Sequence, residues 1–437
     1  MTSSRKVRRI LLSGIAVAVL VGIGAGAVIY KQAQVDAPTA TSTLSQEQLV
    51  TRGRYVALAS DCVACHTTNP ALPFAGGVSF FTPFGKLYST NITQDKVNGI
   101  GSFTDAEIIG AVRNGISKGG HRLYPAMPYT SYAGMSDDDA VALVAYLRTI
   151  APIDSKPPAN TMGFPFNQRW AMAFWNVMNF TSGRQLPVAN KSPEWNRGAY
   201  LVQTLEHCQE CHSPRNFIQG LTGPQLSGGD LGSWQAYNIT SSTKGGIGGW
   251  SDDELFGYLK NGVAPGKANA AGPMAEAIEH SLNHLEDADV HAMVTYLRDV
   301  PAADGKNAGK SRHDFGQAYT GTTALRASHP QYDPTSDALN PELLFNANCS
   351  TCHAPTGKGV GEYPRLFGNT VLGASSPTNV TSVILNGVRR TVNGNEVFMP
   401  AFRNLSDAQV AGLSNFLFKQ FGNPDAQLTA AQVSKLR

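Results

Sequence analysis

Residues 52–66 read RGRYVALASDCVACH, and the last five letters decide how the remainder of the chain is read. The same pattern returns as CQECH at 208–212 and CSTCH at 349–353, and the three copies consume all six cysteines of the 437-residue chain. No thiol is left for a disulfide. One Cys-x-x-Cys-His could be a zinc half-site, a redox dithiol or chance, but three that use every cysteine leave those readings little room. The pattern is the attachment signature of a c-type haem. Its two thiols add across the haem vinyl groups, and the adjacent histidine is carried beneath the iron as proximal ligand.

Each motif lies inside a repeated unit. RGRYVALASDCVACH (52–66) parallels RGAYLVQTLEHCQECH (197–212), and PELLFNANCSTCH (341–353) is a more distant third copy. An Asn-(Ile/Val)-Thr triplet follows each motif histidine at 25, 26 and 26 residues, beginning at Asn91, Asn238 and Asn379. The triplets match a glycosylation acceptor pattern, but their regular recurrence reads as a structural turn. Asn-Gly comes next, at Asn114, Asn261 and Asn386, and a methionine follows each asparagine by 13 residues: Met127, Met274 and Met399.

That register makes the three methionines the candidate distal iron ligands, opposite His66, His212 and His353. Proline follows Met127 and Met399 and stiffens the loop. Met274 lacks it but keeps the register. His280, His284 and His291 have no counterparts in the other units, and His207 abuts Cys208 too closely to reach the opposite face. Met135, Met162, Met172, Met178 and Met293 repeat at no fixed register and read as packing residues. From triplet threonine to Asn-Gly is 21 positions in units one and two but only 5 in the third, so the third haem is expected to be covered differently.

TDAE (104–107) and SDDE (251–254) fit helix capping boxes. Each unit closes with an amphipathic helical pattern: DDDAVALVAYLRTI, LEDADVHAMVTYLRDV and LSDAQVAGLSNFLFKQF. A helix before the motif, a methionine loop and a closing helix make an all-α cytochrome c domain. The expected fold is all-α, three tandem cytochrome c domains after an N-terminal transmembrane helix. The domains are placed at 45–152, 191–301 and 336–425, with linkers at 153–190 and 302–335. Within the first linker, Arg169–Phe180 reads either as a cover over a domain junction or as a partner-docking or membrane-surface segment.

The anchor is assigned to residues 1–34. Ile10 to Tyr30 is uncharged over about 21 residues and matches a hydrocarbon core of roughly 30 Å. Arg5, Lys6, Arg8 and Arg9 before it place the N-terminus in the cytoplasm and the haem domains outside. A cleaved signal peptide is the competing reading, with an apolar region usually about 7–15 residues long. The net charge of +3 resides in that basic cluster and Lys31, so the body is near neutral and no nucleic-acid surface is implied.

Iron held by His and Met has both axial positions filled. Oxygen or peroxide cannot bind without ligand loss, and methionine raises the potential relative to a second histidine. This points to electron transfer and away from a peroxidase. No paired carboxylates, nucleophile constellation or nucleotide loop stands beside the motifs, so the chain reads as a non-catalytic subunit.

CVACHT…AGGVSFFTPFGKLYSTNIT…GIGSFTDAEI…LYPAMPY resembles the triheme cytochrome c subunits of bacterial membrane-bound periplasmic dehydrogenases, over roughly residues 50 to 420. Those subunits accompany fructose, gluconate, sorbitol, alcohol or aldehyde dehydrogenases. The resemblance implies three covalent haems, with electrons entering from a catalytic dehydrogenase subunit and leaving to ubiquinone. A small iron–sulfur or accessory subunit is an optional third partner. By the same match, Cys62, Cys65, His66 and Met127 serve the first haem. Cys208, Cys211, His212 and Met274 serve the second, and Cys349, Cys352, His353 and Met399 the third. The implied location is the periplasmic side of the inner membrane. Several relatives attach through a C-terminal amphipathic segment, whereas the tail after Phe421 is short and polar here. With the N-terminal span, this favours an aldehyde dehydrogenase partner, ahead of quinone-cofactor alcohol and flavin sugar or gluconate dehydrogenases. A stand-alone or oxidase-associated membrane cytochrome is the reading from another class.

Overall fold

The computed structural model describes Gly24, Gly26, Ala27 and residues 42–304, 309–320 and 340–437. Two compact units result. The first ends at Ala189 and also takes Gln203–His207, and the second comprises Asn190–Val202 and Cys208–Arg437.

In the first unit, Ser45 and Gln48 form a capping box that starts the helix Gln46–Ala59. This helix packs on Asp137–Leu147 at a point where only glycine fits. A Cβ on Gly53 would sit 1.8 Å from the Ala142 carbonyl oxygen. Arg52 pairs with Asp139 at 2.8 Å beside this contact. The second unit repeats the device between Pro193–Tyr200 and Asp287–Asp299. There a Cβ on Gly198 would lie 1.8 Å from the Ala292 oxygen, and Arg197 pairs with Asp289 at 2.6 Å. Between Pro341–Asn348 and Asp407–Phe421 the small residue changes sides. Gly412, on the closing helix, meets the Pro341 ring.

A middle helix joins each pair. Asp105–Asn114 and Asp252–Asn261 both begin with the expected capping boxes, Thr104/Glu107 and Ser251/Glu254. Both are tied to the closing helix by the same two braces. Arg113 reaches Asp137 at 2.7 Å, as Lys260 reaches Asp287 at 2.9 Å. Arg148 and Arg298 hold Asp105 and Asp252, each at 2.7 Å. In the third copy, Asp407 is instead held by Arg437 from the C-terminal tail. The core there gathers Leu344, Phe345, Leu385, Leu413, Phe418 and Phe421. Full burial of each such side chain contributes about 1.5–3 kcal/mol.

Two parts of the expected fold are corrected. The chain is not all-α, because among the described residues five two-stranded antiparallel sheets interrupt the helices. Three of them lie between the Asn-Gly pairs and the methionines: Ile116–Ser117 with His121–Arg122, Val263–Ala264 with Ala268–Asn269, and Val388–Val392 with Asn395–Met399. The physical reason is the glycine of each pair. Gly115, Gly262 and Gly387 take φ of 63°, 75° and 71°, which ends the helix and turns the chain into the hairpin. The N-terminal transmembrane helix is likewise not part of the observed fold. Among the described residues no helix is long and apolar enough to cross a membrane. Ile10–Tyr30 lies outside the described residues apart from Gly24, Gly26 and Ala27.

The aromatic segment divides its faces. The helix Met172–Asn179 buries Ala173, Trp175 and Asn176 in the first unit. Trp170, Phe174 and Met178, spaced four apart, are more than half exposed.

Candidate haem sites

Each Cys-x-x-Cys-His motif follows the first helix of its repeat. Asp61, at φ 48°, turns the chain into the short helix Cys62–His66. His207 does the same before Cys208, at φ 40°. It is therefore a turn residue, packed edge-on to Tyr132. The second repeat has one more residue between its glycine and its first cysteine, and the π-helical turn Leu201–Leu205 absorbs it.

All three motif histidines are oriented by one backbone carbonyl. The Nδ1 of His66 donates to Thr90 O at 2.7 Å, that of His212 to Tyr237 O at 2.6 Å, and that of His353 to Pro364 O at 2.9 Å. Such a bond fixes the tautomer and leaves the Nε2 lone pair free to accept a metal. Burial lowers the pKa of each ring, so the imidazoles are neutral, the form that binds iron.

The triplets explain how two of those carbonyls are held. Asn91 Oδ1 accepts from the backbone and hydroxyl of Thr93 at 2.9 and 2.7 Å, and its amide donates to Ile153 O and Ser155 O. Asn238 and Thr240 repeat the turn at 2.8 and 2.7 Å, with Ala303 in the place of Ile153. The acceptor carbonyls belong to the residues directly before these asparagines. Spacing alone did not reveal Thr90 and Tyr237, because a backbone oxygen has no side-chain signature. The third triplet differs from the expected turn. Asn379 and Thr381 lie in the helix Thr378–Asn386, and Asn379 instead bonds the backbone of Gln235 in both directions, at 2.7 and 2.9 Å.

The cysteines are half-buried and none is in a disulfide. Burial, followed by the neighbouring Asp61 and Cys65, pushes the Cys62 thiol up to about 12. Burial, then Cys352, does the same to Cys349, again to about 12. A thiol held protonated makes a poor zinc ligand or redox nucleophile. Among the described residues no group of three or more His, Cys, Asp or Glu side chains is placed to hold a metal ion.

The methionines close the three hairpins at matched positions. Met127 lies in the turn between Tyr124 and Tyr129, Met274 in the first turn of the helix Gly272–His280, and Met399 at the end of its strand. All three are half-buried. His280, His284 and His291 are exposed, with His284 bonded to Glu279 O and His291 stacked on Phe256 at 4.4 Å.

Comparison with known proteins supplies the family. Residues 50–151 match the cytochrome c family model, and residues 336–417 match that of cytochrome c oxidase, cbb3-type, subunit III. The chain is 41% identical to the fructose dehydrogenase cytochrome subunit of Gluconobacter japonicus, over 93% of this chain and 86% of that one. The chain belongs to the cytochrome c subunits of dehydrogenases. The alcohol dehydrogenase (quinone) cytochrome c subunit of Gluconobacter oxydans is 36% identical, over 90% of this chain and 83% of its own. The gluconate 2-dehydrogenase cytochrome c subunit of Pantoea cypripedii is 35% identical over 90% of both. As a dehydrogenase cytochrome subunit, this chain carries covalent haem c, transfers electrons and works with a catalytic dehydrogenase subunit. The donor set fits that cofactor: paired cysteines outside any disulfide, and a histidine with Nδ1 already committed to a carbonyl.

Proposed function

We propose that the chain holds three haem c groups, one per motif, and passes electrons from a sugar- or alcohol-type dehydrogenase to ubiquinone. Cys62/Cys65, Cys208/Cys211 and Cys349/Cys352 form the thioethers. His66, His212 and His353 are the proximal ligands, and Met127, Met274 and Met399 the distal ones. The observation that carries this reading is the threefold pairing of an oriented neutral histidine with a methionine at the end of a hairpin in constant register. When bound, each haem supplies a one-electron iron couple. The protein orients the imidazole through Thr90, Tyr237 or Pro364 and presents the methionine thioether, a soft neutral ligand that holds the potential high.

The reading places the haem domains on the periplasmic side of the inner membrane, where quinone is the acceptor and a small accessory subunit completes the complex. The preference for an aldehyde dehydrogenase depends on the N-terminal span together with the short polar tail after Phe421, and the span is not part of the observed fold. The 41% identity to a fructose dehydrogenase subunit over most of both chains favours a sugar or alcohol partner. The oxidase-type match covers only the third motif region and does not extend to the rest of the chain.

The test is purification of the chain from native membranes and identification of the largest copurifying protein. A dehydrogenase whose substrate reduces the haems, with onward electron delivery to a quinone analogue, is the expected result. Copurification with a terminal oxidase, or haems inert to every dehydrogenase substrate, would overturn the reading.

A further inference from the structure

Two arginines remain buried beside the second motif without an anion to balance them. Arg390 is 0% exposed and Arg312 is 3% exposed, and among the described residues neither forms an ion pair with a carboxylate. Arg390 comes from the third hairpin, Val388–Val392, yet lies against the second repeat. Its Nη1 donates to Ala270 O at 2.7 Å, and a Cβ on Gly262 would meet its Nε at 2.7 Å. Gly262 and Ala270 bracket the hairpin that leads to Met274. Among the described residues, Nε and Nη2 of Arg390 have no hydrogen-bond partner.

Arg312 lies by the residue that orients the motif histidine. Its guanidinium lies 4.5 Å over the ring of Tyr237, whose carbonyl orients His212, and its Nη2 donates weakly to Asn238 O at 3.4 Å. Nε of Arg312 is likewise without a partner. The two cations therefore lie one by the residue that orients His212 and one by the hairpin that leads to Met274, with Tyr258 acting electrostatically on both. Glu279 also acts on Arg390, without pairing with it. A buried guanidinium with unsatisfied donors is costly unless an anion meets it, and planar donors match a carboxylate two at a time.

We propose that Arg390 and Arg312 bind the propionate carboxylates of the haem attached at Cys208 and Cys211, so that the third repeat completes the haem site of the second. The proposal rests on haem attachment at that motif. Other bonds hold the third repeat against the second. Asn379 grips the backbone of Gln235, Arg365 donates to Gly266 O at 2.9 Å, and Thr370 N donates to Lys267 O at 2.8 Å. Two consequences follow from charge. A cation beside the haem disfavours the oxidised iron and raises its potential. The propionates it holds stay ionised, so that potential is insensitive to pH.

The experiment is a spectroelectrochemical titration of the full-length, haem-loaded chain carrying Arg390→Gln, after intact mass has counted the haems. One of the potentials should fall by about 59 mV, a tenfold change in a one-electron equilibrium, while the others hold. Arg390→Lys should recover part of the shift. Arg389→Gln should change nothing, because Arg389 is an exposed neighbour paired with Glu396 at 2.8 Å. Unchanged potentials, or a uniform shift of all of them, would sink the proposal. If Arg390→Gln loses a haem, the wild-type chain decides instead. There one component should stay flat from about pH 5 to 8, and a one-proton slope in every component would contradict the assignment.

Discussion

At the residue scale, the informative positions are those whose chemistry recurs. Cysteine, histidine and methionine were legible in the sequence because each carries its own chemistry at a countable spacing. Thr90, Tyr237 and Pro364 were not, because they contribute only carbonyl oxygens. The Asn-Ile-Thr turn links the two classes. Thr93 is fully buried, donates to Asn91 and accepts from Ile153 N at 3.1 Å. Thr93→Val should therefore cost about 1–3 kcal/mol by stranding buried polar groups. Thr240→Val should do the same, as seen by thermal unfolding. Thr381→Val, within a helix and bonded to Pro377 O, should leave the third motif undisturbed. Met274→Ala tests the least regular of the three proposed ligands. It should abolish one methionine-to-iron charge-transfer band and lower one potential, with covalent attachment intact. Retention of every band would assign the ligand elsewhere, and His280→Ala is the control expected to change nothing.

At the element scale, the helices were readable from caps and periodicity, and most of the hairpins were not. Strands of two residues, such as Ile116–Ser117, are too short to show alternation. The third hairpin did carry a signal that an all-α reading passed over. Asn393-Gly394, at φ 51° and 76°, is the favoured two-residue turn, and it joins strands of five residues each. The helix crossings give the sharpest test at this scale. Gly53→Ala and Gly198→Ala each push a methyl into a backbone carbonyl and should destabilise their repeat by about 1–3 kcal/mol. Gly412→Ala meets only the edge of the Pro341 ring at 3.3 Å and should cost less. Equal losses at all three positions, measured by denaturant unfolding, would show that the crossings are not the tight points.

At the whole-molecule scale, the repeats are alike in plan and different in how they are completed. Units one and two share their braces, capping boxes and Asx turns, which is why their sequences align so readily. The third replaces the long loop between histidine and middle helix with a short one and spends its Asn379 and Arg390 on the second repeat. That exchange was invisible to sequence spacing, since Asn379 falls in register by count while serving another element. The relatives supply the setting of a catalytic dehydrogenase. The residues supply the claim that three haems reside on one chain, and intact mass spectrometry of the exported full-length protein addresses it most directly. Three haem additions are expected, falling to two in the Cys208→Ala/Cys211→Ala double variant. A wild-type chain bearing one or two haems would contradict the account.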